Sequence, residues 1–103
     1  MHLRCPWFVT WDDHECDNNY ANDISELKGT DPADFLIRRA NAYQAFYENM
    51  PLRRTSVPTG PNLQLYRKAS YGQLAEFMVL DGRQYRSNQP NNDQRSPINT
   101  AAL

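Results

Sequence analysis

Apolar side chains cluster unevenly along this chain, and their spacing predicts four elements. Pro6 is followed by Trp7-Phe8-Val9-Thr10-Trp11. All five residues favour strand, and the run is too short for a helix. Its apolar density predicts a strand buried on both faces, as in a parallel sheet under helical cover. At Asp12 the chain turns polar. Residues 12–23 carry five acidic groups together with Asn18, Asn19 and Asn22, and read as a loop.

The second element is a helix. Asp31 is a capping residue, Pro32 suits the first helical position, and Asp34 falls in the first turn. Phe35, Leu36, Ala40, Tyr43, Phe46, Tyr47 and Met50 recur at spacings of three and four, with Arg38, Arg39, Gln44 and Glu48 as the polar remainder. Pro51 ends the pattern, because it lacks an N–H and biases Met50 away from helical geometry. So wide an aromatic face expects a sheet to pack on.

Residues 53–62 read as a loop. Leu63, Leu65 and Arg67 alternate with Gln64 and Tyr66, which predicts a half-buried strand. Tyr71-Gly72 marks a turn, and Leu74 to Leu80 reads as a further strand that pairs with the preceding one as a hairpin. Asp81-Gly82-Arg83-Gln84-Tyr85-Arg86 then follows, again polar chemistry directly after an apolar strand. The stretch from Ser87 to Leu103 lacks periodicity and is expected to be poorly ordered. No internal repeat is visible.

Composition narrows the class. The chain has 103 residues and a formal charge of −1, which allows one small domain at most. The near-neutral balance argues against a nucleic-acid binder. No apolar run approaches the roughly 18 residues of a membrane helix, and no charged segment precedes an apolar one in the manner of a signal peptide. Cys5 and Cys16 do not make a disulfide-rich scaffold. Cys5, before a buried strand, is expected to be an inert core thiol.

The distribution of charge says more than its total. Residues 1–31 hold seven acidic groups against Arg4 and Lys28, whereas the rest of the chain holds nine basic and five acidic ones. An acidic cluster followed by an arginine-bearing half suits a cation site facing an anion, although two ordinary solvated faces would look the same.

Two strand ends carry the candidate chemistry. Ligands of α/β folds gather at the carboxyl ends of strands, and Asp12-Asp13-His14-Glu15 leaves one such end. Adjacent carboxylates repel, so a cation or an arginine compensates them. Carboxylate with imidazole suits Zn, Mn or Fe, and carboxylate with the Asn18, Asn19 and Asn22 oxygens also suits Ca or Mg. His14 could ligate metal, or donate to a leaving group. An acidic, asparagine-rich capping loop remains the alternative, since no metal-site signature of fixed spacing is present. At the second end, Arg83 is suited to grip phosphate oxygens, Asp81 could orient it, and Tyr85 could shape a pocket. A surface turn with a salt bridge is the plainer reading there.

These residues also carry a resemblance. Phe8-Val9-Thr10-Trp11-Asp12-Asp13-His14-Glu15-Cys16-Asp17-Asn18-Asn19-Tyr20-Ala21 resembles the central motif of the PhoD-like alkaline phosphatases and phosphodiesterases. Ala42 to Arg53 resembles the segment that follows it in that family. Leu65-Tyr66-Arg67, Gly72, and Leu80-Asp81-Gly82-Arg83-Gln84-Tyr85-Arg86-Ser87-Asn88-Gln89-Pro90 are similar to the next block. Gly82 stands where the family pattern carries Thr, and Cys16 where Val is usual.

The resemblance implies a metal-dependent phosphatase, with a phosphodiesterase of the same superfamily as the alternative and a small acidic binding module as the non-enzymatic rival. It implies an α/β fold in which residues 1–90 are part of a four-layer α/β/β/α sandwich, with 91–103 a disordered tail that departs from the family after Pro90. That departure suggests truncation or a changed reading frame. It implies iron with calcium as cofactors and a phosphate ester as substrate. By position, Asp13 takes the place of a metal ligand and His14 that of the group contacting phosphate and leaving group. Arg83 becomes a phosphate-side or structural arginine. Asp12, Glu15, Asn18, Asp81 and Tyr85 take supporting places. Relatives are often exported. The further ligands of a two-metal centre are expected outside this stretch, so the chain alone is expected to be catalytically silent.

Overall fold

A computed structural model describes residues 3–89. The order is a helix α1 (Pro32–Asn49), a 3-10 turn (Arg54–Ser56), and strands β1 (Arg67–Tyr71) and β2 (Ala75–Val79). This is an α/β arrangement; of the stretch from Ser87 to Leu103 expected to be poorly ordered, residues 87–89 are described, and the expected tail 91–103 lies outside the described residues.

Helix α1 forms where the capping signals place it. The Asp31 carboxylate accepts the Ala33 N–H at 2.7 Å, Pro32 opens the first turn, and the Met50 N–H closes the last turn on the Phe46 carbonyl at 2.9 Å. Phe35, Arg39, Tyr43 and Phe46 form its buried stripe, at the spacing of a single helix face. The stripe serves two clusters. Trp11, Val9, Leu63 and Leu65 pack on Tyr43 and Phe46, with Tyr47, Met50 and Leu52 at the border; Cys16 and Tyr20 pack on Phe35 and Ala42. The Tyr20 and Tyr43 hydroxyls meet at 3.1 Å between the clusters, and burial pushes the pKa of both well up.

The Trp7–Trp11 run differs from its expected form. It belongs to no ladder among the described residues, and it is buried on one side only: Val9 and Trp11 face the core while Phe8 and Thr10 are exposed. Side chains hold it instead. Arg67 Nη2 donates to the Val9 carbonyl at 2.9 Å, Thr10 Oγ1 donates to the Leu80 carbonyl at 2.9 Å, and the Phe8 ring stacks on Phe77 at 4.9 Å. Strand-forming residues make a ladder only when a second backbone lies alongside, and the described residues place side chains there. No parallel pairing occurs among them.

The hairpin forms, but its pairing starts later than the alternation suggested. Leu63 and Leu65 are buried and Gln64 and Tyr66 exposed, as expected of a half-buried strand. The backbone of Leu63 is nevertheless taken by a side chain: its N–H donates to Gln84 Oε1 at 3.1 Å, and its carbonyl accepts from Gln84 Nε2 at 2.9 Å. The antiparallel ladder runs from Arg67 opposite Val79 to Tyr71 opposite Ala75. Gly72 turns the chain with φ 55°, a conformation that costs glycine little. The outer hairpin is exposed at Tyr71, Leu74 and Met78. No helix among the described residues is long and apolar enough to cross a membrane.

Trp11 holds the larger cluster together by stacking on Tyr43 at 4.2 Å and meeting Phe46 edge-on at 5.5 Å. Replacing it by Ala is expected to cost about 3–5 kcal/mol in urea unfolding. Trp11→Phe keeps most of the burial and should cost clearly less. A loss below about 1 kcal/mol for the Ala variant would contradict this packing, given the usual cost of emptying a core site.

Candidate functional site

The one-sided burial of the Trp7–Trp11 segment continues past Trp11, so Asp13 turns inward and Asp12 and His14 outward. A tight turn follows. The Asp13 carbonyl accepts the Cys16 and Asp17 N–H groups at 3.0 and 2.9 Å, and Glu15 Oε2 accepts the Asp12 N–H at 3.1 Å. Asp13 is left 5% exposed. Its Oδ2 accepts the Asn19 N–H at 2.8 Å. Asn19 aims that N–H from a left-handed conformation, φ 51°, which asparagine tolerates better than most residues.

Arg83 arrives from the other polar segment. Asp81 Oδ1 accepts three donors: the Trp11 indole N–H at 2.9 Å, the Arg83 N–H at 3.0 Å and the Gln84 N–H at 2.9 Å. Asp81 therefore orients Arg83 through its main chain. The Arg83 guanidinium then reaches 71 positions back, and its Nη2 lies 2.9 Å from Asp12 Oδ1 and 3.6 Å from Asp13 Oδ1. The side chain is 13% exposed. Its Nη1 is buried with no hydrogen-bond partner among the described residues.

The electrostatics follow from this geometry. The Asn19 N–H is the chief reason the Asp13 carboxyl is held below its ordinary pKa; burial opposes it, and the Arg83 charge adds to the lowering. Glu26 is lowered likewise, by the side-chain amides of Asn19 and Asn18.

The structure thus brings Asp12, Asp13 and Arg83 together, with Glu15 and Asp81 bracing their turns. It places others elsewhere. Asn18 turns its amide to Glu26. Both Asn22 oxygens accept from Arg39 instead. Tyr85 is exposed and packs edge-on against Tyr66 at 5.8 Å. His14 is exposed. The cysteines reverse their expected places: Cys5 is exposed and Cys16 is buried, and both are free thiols. The apolar run enters the core only at Val9, so Cys5 stays outside it. Burial pushes the Cys16 thiol up to about 11, which keeps it protonated and unreactive near neutrality.

Three contributions escaped the sequence reading. Asn19 was expected to offer a side-chain oxygen; it acts instead through its main-chain N–H on Asp13, which no side-chain pattern reveals, and its amide turns to Glu26. Gln84 is buried and acts as a substitute strand neighbour for Leu63. Arg39 is buried on α1, and a signal for it existed: it lies four residues after Phe35 and four before Tyr43, on the apolar stripe.

Among the described residues, no three His, Cys, Asp or Glu side chains converge to hold a metal ion. The expected iron and calcium therefore do not find a complete set of ligands there. A cavity of about 440 Å³ opens beside Asn19 and Glu26, lined also by Ile24, Leu27, Lys28 and Asn88, but Asp12, Asp13, His14 and Arg83 do not line it.

Comparison with known proteins decides the family. The sequence pattern described as PhoD-like phosphatase matches residues 1–102. The chain belongs to the PhoD-like phosphatase family. The match runs past Pro90. The chain is 60% identical over 96 residues to alkaline phosphatase D of Bacillus subtilis (strain 168), covering 93% of this chain and 16% of that protein. It is also similar to a solved structure described as "Structure of PhoD", with a TM-score of 0.81 and 63% identity, over 86% of this chain and 17% of that one. The chain thus spans about a sixth of the length of these relatives. Membership associates it with metal-dependent phosphatases, and the described residues do not bring together a complete metal site.

A carboxyl held below its ordinary 3.8 binds protons less readily in the folded chain than in the unfolded one. It stabilises the fold above that pH, and the contribution is lost as pH falls through the lowered value. Asp13→Asn is therefore expected to flatten the acid side of the stability profile below about pH 4. Urea unfolding at stepped pH measures this, and an unchanged acid slope would contradict the Asn19–Asp13 bond.

Proposed function

We propose that this chain supplies the acidic turn of a metal-dependent phosphoric monoester hydrolase, within a four-layer α/β/β/α domain whose remaining ligands lie outside these residues. The observation that supports this best is the convergence of Asp12, Asp13 and Arg83 from distant segments, in a chain 60% identical to a protein called alkaline phosphatase D. Iron with calcium, when bound in such a centre, would supply Lewis acidity and an activated water.

In this reading Asp13 is the residue that faces a cation. Its position is fixed before any ligand arrives, by the Asn19 N–H, so little reorganisation accompanies binding. His14 is exposed and adjoins Asp13, where it donates a proton or hydrogen bond to the leaving oxygen of a phosphate ester. Arg83 acts chiefly as counter-charge. Its Nη2 is occupied by Asp12 and Asp13 and its Nη1 is buried, so it steadies two neighbouring carboxylates rather than gripping phosphate. Glu15 and Asp81 hold the two turns, and Asn18 ties Glu26 to the same loop.

Two assays test the reading. The 103-residue chain with iron and calcium should show no turnover of a phosphate monoester. Turnover abolished by changing His14 would overturn the silent-chain expectation. The second assay grafts the chain in place of its matched segment in alkaline phosphatase D of Bacillus subtilis. In that chimaera His14→Ala should lower kcat on a phosphate monoester by about 100-fold or more, as loss of a general acid does. Asp13→Asn should weaken metal retention. Full activity in both variants would refute the proposal, and a preference for diesters would move it to the phosphodiesterase reading.

A further inference from the structure

Arg39 is 3% exposed, yet no carboxylate among the described residues pairs with it. Its guanidinium is spread instead over neutral oxygens of two loops. Nε donates to the Pro61 carbonyl at 2.9 Å. Nη1 donates to the Asn22 carbonyl at 2.6 Å and to Asn22 Oδ1 at 3.2 Å, and Nη2 donates to Asn62 Oδ1 at 3.3 Å. The charge also lies 5.5 Å from the centre of the Tyr43 ring. A buried cation without an anion is costly, and it is tolerated where its donors are matched by fixed acceptors.

One of those acceptors leads to the candidate site. Asn22 sits in a left-handed conformation, φ 54°, and its N–H donates to the Arg83 carbonyl at 3.1 Å. The main chain of Arg83 is thus fixed from two sides, by Asn22 at its carbonyl and by Asp81 at its N–H. We infer that Arg39 is a positioning residue for Arg83: by clamping Asn22 it sets where the Arg83 side chain leaves the backbone, and so how that guanidinium meets Asp12 and Asp13. Arg39 touches neither carboxylate. Its planar fork is what serves both loops at once; a lysine in its place keeps the charge but loses that geometry. The functional consequence rests on the proposed phosphoester site, whereas the structural relay does not.

The test is a double-mutant cycle in the chimaeric enzyme. Arg39→Lys should lower kcat about tenfold, the scale of a displaced positioning group, with KM nearly unchanged. In an Arg83→Ala background the same change should cost less than about twofold, because the group it positions is gone. Equal losses in both backgrounds would show a merely structural arginine and overturn the inference, as would no loss at all. If Arg39→Lys fails to melt cooperatively, Asn62→Ala carries the same cycle, since it removes one acceptor at an exposed residue.

If Asp13 and His14 variants leave the chimaera fully active, the site reading fails and the relay is judged on the 103-residue chain by NMR. Arg39→Lys should then shift the Arg83 Nε–H resonance and speed amide exchange at Asn22, while Tyr43 and Phe46 in α1 keep their protection. Unchanged Arg83 and Asn22 signals would overturn the inference on that arm.

Discussion

One carboxylate oxygen joins the two halves of this structure. Asp81 Oδ1 accepts the Trp11 indole N–H and two successive main-chain N–H groups, while Oδ2 lies 3.2 Å from the Gln84 amide. Trp11 belongs to the aromatic core, and Arg83 and Gln84 belong to the polar turn beyond the hairpin. The shared oxygen therefore fixes the arginine-bearing turn against the segment that ends in Asp12 and Asp13. Without it a buried indole donor would lose its partner, a loss that costs more than the bond itself is worth in water. The proximity of Arg83 to both carboxylates follows from this joint.

The surroundings are organised in the same way, by side chains doing what backbone ladders do in larger sheets. Gln84 pairs with both polar groups of Leu63, Arg67 takes the Val9 carbonyl, and Thr10 takes the Leu80 carbonyl. Buried polar groups in proteins find partners of some kind, and in this chain amides and guanidinium groups supply many of them. Such partners are specific in direction. Apolar packing alone is indifferent to orientation, whereas the Asn19 N–H fixes the direction of the Asp13 carboxylate and Asp81 that of the Arg83 main chain. The apolar part of the structure sets which elements meet; the hydrogen bonds set the angles at which they do.

That division explains what could be read in the sequence. Helix α1 was legible because Asp31, Pro32 and Pro51 act locally and the Phe35-to-Phe46 stripe has a single period. The hairpin was legible through Gly72 and its flanking alternation. The ladder limits were not, because Gln84, far along the chain, occupies the backbone of Leu63. The Trp7–Trp11 run shows the same limit: its residues favour strand, yet a strand needs a neighbour that composition cannot supply. At the site, Asp13 and Arg83 stood out because charge is uneven along the chain. Asn19 and Arg39 did not. One contributes an N–H that every residue but proline has, and the other looks like the polar remainder of an amphipathic helix until its position on the buried face is noticed.

In the proposed reading Asp13 and His14 are the central pair. The relatives are about six times longer, and in that reading the remaining ligands lie outside these residues. The most direct measurement is a crystal structure of the chimaeric enzyme with inorganic phosphate. A phosphate oxygen is expected within about 2.6–3.2 Å of the His14 ring, with Asp13 directed at a bound cation and Arg83 still against Asp12. Phosphate held elsewhere, with His14 in open solvent and Asp13 away from any cation, would contradict it.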